Sequence, residues 1–290
     1  MNVSVRGCLR TGQRLLFAIG VPDADVEAEL LLAYALGIKR LEIYNYMDVI
    51  PDIQIFQRYH DLLSARTKRI PFGYLAGQVE FMGHDFKVKQ GVALPRADTE
   101  TLVETLIDIY NVPLAKKQQQ HIIDLCTGVG NILISLCMEW QDCDGIGIDI
   151  DGTSLECARE NARTLGLENR VIFLKSDLYT CLTDNIPEHW ADVITANPPY
   201  VSESEYKMLS PEIKYEPVRA FLSGHSGVEM YEHIIPESRR WLKRNGRLIV
   251  EISPMIEQSV IDLYNESGFC DIQTYRDIAG HARVLTGEMS

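Results

Sequence analysis

No uninterrupted apolar run in this sequence approaches the roughly 18 residues that a membrane-spanning helix needs. The longest candidates are short stretches such as Leu30 to Leu36, so the chain is expected to be soluble and to have no membrane partner. It also lacks a CxxC pair, an HExxH run and any paired Cys/His spacing of a zinc site, and no metal is expected. Its seven cysteines, an odd number at positions 8, 126, 137, 143, 157, 181 and 270, read as reduced and mostly buried thiols of a cytoplasmic protein. Positive charge is scarce, with 28 Lys and Arg against 41 Asp and Glu, a net charge of −13. The deficit is uneven. Residues 1–75 carry 9 basic and 8 acidic side chains, which leaves 19 against 33, or −14, for the rest. Nucleic-acid binders concentrate Lys and Arg to neutralise phosphates, so no direct nucleic-acid partner is expected. Internal repeats and low-complexity tracts are missing too, and 290 residues at 46% hydrophobic and 24% charged composition exclude disorder and fibres. That length fits one large domain or two unequal ones.

Residues 1–22 hold Arg6, Arg10 and Arg14 without an acid, superficially like a transit peptide, yet apolar residues continue at helical spacing into Leu30, Leu31 and Leu32. A first structural helix is the better reading. Helical steps recur over Leu15, Leu16 and Ile19, over Val26, Leu30, Ala33 and Tyr34, and over Ile55, Tyr59, Leu62 and Leu63, with turns expected at Pro22, Gly37 and Pro51. A small helical-bundle domain is therefore expected over 1–75. From Gly77 to Lys89 the period changes to two, with Val79 and Phe81 before a Gly83 turn and Phe86 and Val88 after it, which predicts a β-hairpin linker within 76–95. Asp98 can cap a helix through Leu102, Val103, Leu106 and Ile107, and the polar stretch Lys116 to Gln120 reads as a loop.

Strands then alternate with helices through the remainder of a 96–290 domain. Strands are expected at 121–126, 144–149, 170–175, 191–196 and 246–252, and helices at about 129–139, 153–166, 228–243 and 254–267. Two further strand-like pieces, 270–275 and 282–286, lie too close for a crossover helix and should pair antiparallel. The expected fold is α/β, a doubly wound, mostly parallel, seven-stranded sheet with an antiparallel terminal hairpin.

In such a sheet a ligand sits beyond the carboxyl ends of the strands. The first such end reads Asp124-Leu125-Cys126-Thr127-Gly128-Val129-Gly130-Asn131. Its two glycines let backbone approach a ligand closely, but Leu133 occupies the third glycine position of a dinucleotide fingerprint, which disfavours a pyrophosphate turn. Asp149 ends the second strand, where a carboxylate can accept from both ribose hydroxyls of an adenosine ligand. Asp177, just past the third strand, can reach an adenine edge or cap the segment that starts at Leu178.

Asn197-Pro198-Pro199-Tyr200 closes the fourth strand and is the strongest signal. Two prolines lock the backbone, so the Asn197 side-chain oxygen and the Pro198 carbonyl form paired acceptors that suit a planar NH2 group. The nitrogen of such a group is a poor nucleophile because its lone pair is delocalised. Two acceptors can draw it toward tetrahedral geometry while Tyr200 covers the plane.

These motifs together resemble a class I S-adenosylmethionine-dependent methyltransferase. Pro95-Arg96-Ala97-Asp98-Thr99-Glu100, Tyr215-Glu216-Pro217 and the preceding helical region narrow the resemblance to the HemK/PrmC family, the glutamine-N5 methyltransferases of peptide chain release factors. The resemblance implies S-adenosylmethionine as cofactor, bound through Asp124, Thr127, Gly128, Gly130, Asp149, Asp177 and Asn197. It implies a release-factor glutamine bound by Asn197, Pro198, Pro199 and Tyr200, with Asn197, Pro198 and Tyr200 catalytic. It also assigns substrate recognition to 1–75 and cofactor-pocket lining to Arg96 to Glu100, and a monomer is expected. The family usually has Pro where this chain has Ala97, and often Gly where it has Cys126, a position expected to leave the glycine turn undisturbed. Alternatives are an amino-methyltransferase of adenine or guanine in nucleic acid, a methyltransferase of a ribosomal-protein glutamine, and a binding module that has lost catalysis. Val201 to Gly227 is long for a connection and reads as a functional loop or lid, with Glu203, Glu205, Glu212 and Glu216 available to a basic partner. His225, in a glycine-flanked turn, has no visible partner.

Overall fold

The computed structural model describes residues 3–110, 120–184 and 186–290. Most of the expected Lys116 to Gln120 loop lies outside the described residues. By its internal contacts the chain divides into two compact units, 1–78 and 79–290.

The first unit is helical: α1 (Val5–Ala18), α2 (Ala24–Leu36), α3 (Ile53–Thr67) and the short α4 (Phe72–Ala76), with a 3-10 segment at Arg40–Tyr46. Its termini follow from local chemistry. Ser4 accepts from the Gly7 amide at the start of α1, and the Asp52 carboxylate accepts from the Gln54 and Ile55 amides at the start of α3. Val5, Leu9, Leu16, Leu31, Leu32, Ile43, Tyr59 and Leu63 form its core. The sequence placed the apolar face differently. Leu15, Ile19 and Val26 are exposed, and α2 buries Ala28, Leu31, Leu32 and Ala35 instead. Nearly every residue from Glu29 to Leu36 is apolar, so periodicity alone cannot pick the side on which α1 and α3 pack.

The second unit opens with a hairpin, β1 (Gln78–Phe81) and β2 (His84–Lys87). Met82 and Gly83 both have positive φ, 50° and 74°, the backbone of a tight two-residue turn that matches strand twist. Phe81 and Phe86 are buried edge to face with centroids 6.0 Å apart. After α5 (Glu100–Ile109) the sheet is built from β3 (Gln120–Leu125), β4 (Cys143–Asp149), β5 (Val171–Lys175), β6 (Ala191–Ala196) and β9 (Leu242–Glu251). It is completed by β10 (Phe269–Arg276) and β11 (Ala282–Met289). The order across the sheet is β10-β11-β9-β6-β3-β4-β5. The five strands from β9 to β5 in this order are parallel, β11 runs antiparallel to β9, and β10 runs antiparallel to β11. Helices α6 (Asn131–Glu139), α7 (Gly152–Thr164), α9 (Glu229–Trp241) and α10 (Glu257–Glu266) link the strands. Two apolar clusters surround Ile123, Leu248 and Tyr264 in one case and Ile122, Leu133 and Val193 in the other, as alternating strand side chains require. The expected fold is present. What the sequence did not order is β11, which inserts between β9 and β10.

Four local expectations are corrected. Asp98 caps nothing: Ala97–Thr99 is a 3-10 turn, α5 begins at Glu100, and Asp98 pairs with Arg283 at 2.8 Å. Cys137 and Cys143 form a disulfide, so only five of the seven cysteines are free thiols, and Cys270 among them is exposed. The segment after Tyr200, for which no strand or helix was expected, has both, since β7 (Val201–Ser202) pairs parallel with β8 (Leu222–Gly224) around the short α8 (Glu203–Tyr206). Its acids also do not all face outward. Glu205 completes a capping box with Ser202, and Glu216 is 4% exposed. Among the described residues no helix is long and apolar enough to cross a membrane.

Candidate functional site

Strand order reverses between β3 and β6, and the carboxyl ends of these strands open on one cavity of about 320 Å³. Thr127, Gly128, Asp149, Asp177, Asn197, Pro198, Pro199 and Tyr200 line it. Two residues singled out from the sequence do not. Asp124 is fully buried behind the wall, its carboxylate accepting from Thr127 Oγ1 at 2.5 Å and Thr195 Oγ1 at 2.7 Å. Burial pushes its carboxyl up to about 6 against the pull of those two hydroxyls. Gly130 sits at the start of α6 with φ 82°, and a Cβ there would meet Ile134 Cδ1 at 3.0 Å and Phe173 Cζ at 3.1 Å. It serves close packing.

The turn after β3 is tight. Cys126 and Gly128 both have φ 55°, so Cys126 occupies the left-handed region and takes part in the turn geometry that it was expected to leave alone. A Cβ on Gly128 would have no atom within 4 Å, which makes its face an open floor for a ligand. The Gly128 amide donates to Asp149 Oδ2 at 2.9 Å, and the Asp151 amide donates to Asp149 Oδ1 at 2.8 Å. Each carboxylate oxygen keeps lone-pair capacity, so Asp149 can still accept from two ribose hydroxyls. Burial raises its pKa, opposed by those amides. Asp177 is exposed on the same wall, placed to meet an amino group on a flat ring. This donor and acceptor set fits an adenosine.

At the neighbouring strand end, Asn197 Nδ2 donates to Thr99 Oγ1 at 3.1 Å, which leaves Oδ1 as the acceptor of that side chain. The Tyr200 hydroxyl donates to Glu251 Oε1 at 3.1 Å. Glu251 ends β9, is 1% exposed, and has its carboxyl pushed up to about 7 by burial. Burial likewise raises the Tyr200 phenol.

The segment after Tyr200 closes one side of the cavity. Glu216 accepts from Arg96 Nη2 at 2.5 Å and from the Leu94 amide at 2.9 Å, and Arg219 pairs with Asp151 at 2.7 Å. Of the stretch from Arg96 to Glu100, Arg96 and Thr99 reach the cavity, while Glu100 accepts from the Met82 amide of the hairpin turn. Exposed His225 lies 3.6 Å from Glu203 and does not border the cavity. Sequence reasoning missed Glu251, Arg219 and the individual role of Thr99. An acid closing the apolar run Leu248-Ile249-Val250 was the available signal for the first.

A family model described as the PrmC N-terminal domain matches residues 8–77, and a methyltransferase-domain model matches residues 116–275. The release factor glutamine methyltransferase of Rhodopirellula baltica is 34% identical over 269 residues, covering 92% of this chain and 90% of its own. That of Clostridium botulinum is 34% identical over 283 residues, covering 97% and 98%. Among solved structures, a ribosomal protein L11 methylase from Lactobacillus delbrueckii subsp. bulgaricus matches 71% of this chain and 85% of its own with a TM-score of 0.50 at 18% identity, a likeness of fold. With end-to-end relatives above 30% identity and matching models for both of its parts, the chain belongs to the release factor glutamine methyltransferase family.

Proposed function

We propose that this protein methylates the side-chain nitrogen of the glutamine in the Gly-Gly-Gln motif of peptide chain release factors. The observation that carries the reading is Asn197. Its Nδ2 is committed to Thr99, so Oδ1 and the adjacent Pro198 carbonyl are left as two acceptors beside a cavity whose far end fits an adenosine. Gly128, Asp149 and Asp177 would hold S-adenosylmethionine, with Thr127 and Asp124 bracing the turn from behind. That group supplies the methyl as a sulfonium, an electrophile that needs no metal to activate it.

Asn197 Oδ1 and the Pro198 carbonyl then accept the two N–H bonds of the glutamine amide, reducing delocalisation of its lone pair and aiming it along the line of displacement. S-adenosylmethionine held there would supply its methyl to the nitrogen so aimed and keep the C–S electron pair on its sulfur, and the proton of the charged nitrogen would pass to water. Orientation supplies most of the rate, because holding the reacting atoms in line converts a rare encounter into a first-order step. The prolines keep both acceptors fixed, and Tyr200, anchored by Glu251, covers the amide plane. We read the nearly neutral residues 1–75 as the region that recognises the release factor.

The test is mass spectrometry of release factors from cells lacking and containing this protein. A 14 Da increase on the Gly-Gly-Gln glutamine that depends on the protein is the expected result. The same increase on nucleic acid, or on a ribosomal protein alone, would overturn the reading.

A further inference from the structure

S-adenosylmethionine carries two arms on its sulfur, an adenosyl arm and a short amino-acid arm that ends in a carboxylate. The cavity is acidic for such a group. Asp149, Asp151, Asp177 and Glu251 line it, and among the described residues its lining cations are Arg96 and Arg219. A carboxylate taken from water into that field needs a fixed positive partner, because its lost hydration otherwise counts against binding. The two arginines stand at different ends. Arg219 pairs with Asp151 at 2.7 Å, and the Asp151 amide donates to Asp149, so this cation belongs to the ribose end. Arg96 opens the turn that carries Thr99 to Asn197: the Thr99 amide donates to the Arg96 carbonyl at 3.1 Å, and Asn197 Nδ2 donates to Thr99 Oγ1 at 3.1 Å. Its charge therefore belongs to the reacting end.

The Arg96 side chain is held before any ligand arrives. Its Nη2 donates to Glu216 Oε1 at 2.5 Å, the other Glu216 oxygen accepts from the Leu94 amide, and the guanidinium lies 5.8 Å from the centre of the Phe221 ring. Glu216 is 1% exposed and the Arg96 side chain 42%, so the pair presents its positive member to the cavity. A guanidinium is a flat fork of donors; Glu216 engages Nη2, and Nε and Nη1 keep theirs. A fork pinned on one edge and open on another matches a second carboxylate with little ordering left to do. We propose that Arg96 binds the carboxylate of the amino-acid arm of S-adenosylmethionine, with Glu216 as the positioning residue that holds the guanidinium in place. The inference rests on the reading of the cavity as an S-adenosylmethionine site.

The test is calorimetry of the full chain with two ligands that differ by the carboxylate alone, S-adenosylhomocysteine and its decarboxylated form. Wild type should bind the first about tenfold more tightly, the low end for a hydrogen-bonded charge because Arg96 is partly exposed. In Arg96→Gln the preference should shrink to within about twofold, through weaker binding of S-adenosylhomocysteine alone. Arg96→Lys keeps the charge without the fork and should fall between, at about threefold. Arg219→Gln should keep the full preference. Added salt should erode the preference of wild type and leave Arg96→Gln unchanged. Arg96→Gln strands the buried Glu216 carboxylate, so Arg96→Gln/Glu216→Gln, a neutral pair that can still hydrogen-bond, repeats the measurement without that cost.

Equal wild-type affinity for the two ligands would overturn the proposal. So would a preference that survives in Arg96→Gln, one that disappears in Arg219→Gln, or equal losses of both ligands in the Arg96→Gln/Glu216→Gln variant. Failure of the wild type to bind either ligand would remove the cofactor reading along with the inference. The expected preference in a protein that leaves release factors unmethylated would remove the functional reading and keep Arg96 in its role. Methylation of release factors by a wild type without the preference would do the opposite.

Discussion

Two strand ends share the cavity and are held in different ways. The turn after β3 and the carboxyl end of β4 are tied by main chain, with two amides on the Asp149 carboxylate and backbone bonds from Thr127 to Ile148 and from Gly130 to Thr127. The Asn-Pro-Pro-Tyr segment after β6 is held by side chains from distant parts of the chain, Thr99 ahead of α5 and Glu251 at the end of β9. A cradle made of backbone tolerates many side chains as long as its dihedrals are allowed. One made of remote hydroxyls and a carboxylate depends on individual atoms.

The largest test of that contrast is Asn197→Ala. It should fold and bind cofactor normally while kcat falls roughly 10²- to 10³-fold, the scale for removing one fixed polar group at a reacting centre. Single-turnover rates at wild-type level would break the comparison at once. Next comes Asp149→Ala, which leaves ribose hydroxyls and the Gly128 and Asp151 amides without their acceptor. Calorimetry should show a loss of cofactor affinity of about 1 to 3 kcal/mol, with a much smaller change in release-factor KM.

Asp124 offers a test by pH. Its carboxyl is raised in the folded protein to about 6, so its burial costs nothing where both states are protonated, below about pH 4. The cost develops as pH rises to about 6, reaching on the order of 3 kcal/mol. Urea unfolding of wild type and Asp124→Asn at pH 4 and pH 7 should therefore show the variant gaining relative stability at the higher pH. A difference that stays constant with pH would show that the Asp124 carboxyl titrates alike in the folded and unfolded protein and is not raised by burial. The smallest effect belongs to Cys126. Cys126→Gly should change stability by less than about 1 kcal/mol, since relief of a left-handed residue and the added freedom of the unfolded chain oppose each other. Cys126→Val should cost more, because a branched side chain fits φ 55° poorly.

The same contrast explains how much could be read from the chain beforehand. Gly128, Asp149 and the Asn-Pro-Pro-Tyr run stand at strand ends, and strand ends are visible as places where an apolar alternation stops at turn or acidic residues. The seven strands were legible for that reason. Thr99 and Glu251 were not, because each matters only through a partner nearly a hundred or more than fifty positions away, and nothing local distinguishes either from a helix-start threonine or a strand-end acid. Cys126 was misjudged on dihedral grounds that composition does not reveal, and the buried face of α2 through an excess of apolar residues rather than a shortage. Glu216 looked like part of an acidic surface until Arg96 and the Leu94 amide proved to be its partners.

The seat of β11 between β9 and β10 has a consequence for how the protein is made. A ribosome delivers β10 first, yet every ladder bond that β10 makes in the sheet is to β11. Until residues 282–289 emerge, β9 presents an open edge and β10 has no strand to pair with. That interval ends only when β11 pairs with both strands. During it the Glu251 end of β9 lacks its antiparallel neighbour Val284. The strand that carries the buried carboxylate beside Tyr200 is thus completed only once residues 282–289 are in place, so a folding intermediate without them can hold the finished turn after β3 before it holds the finished surroundings of the Asn-Pro-Pro-Tyr segment.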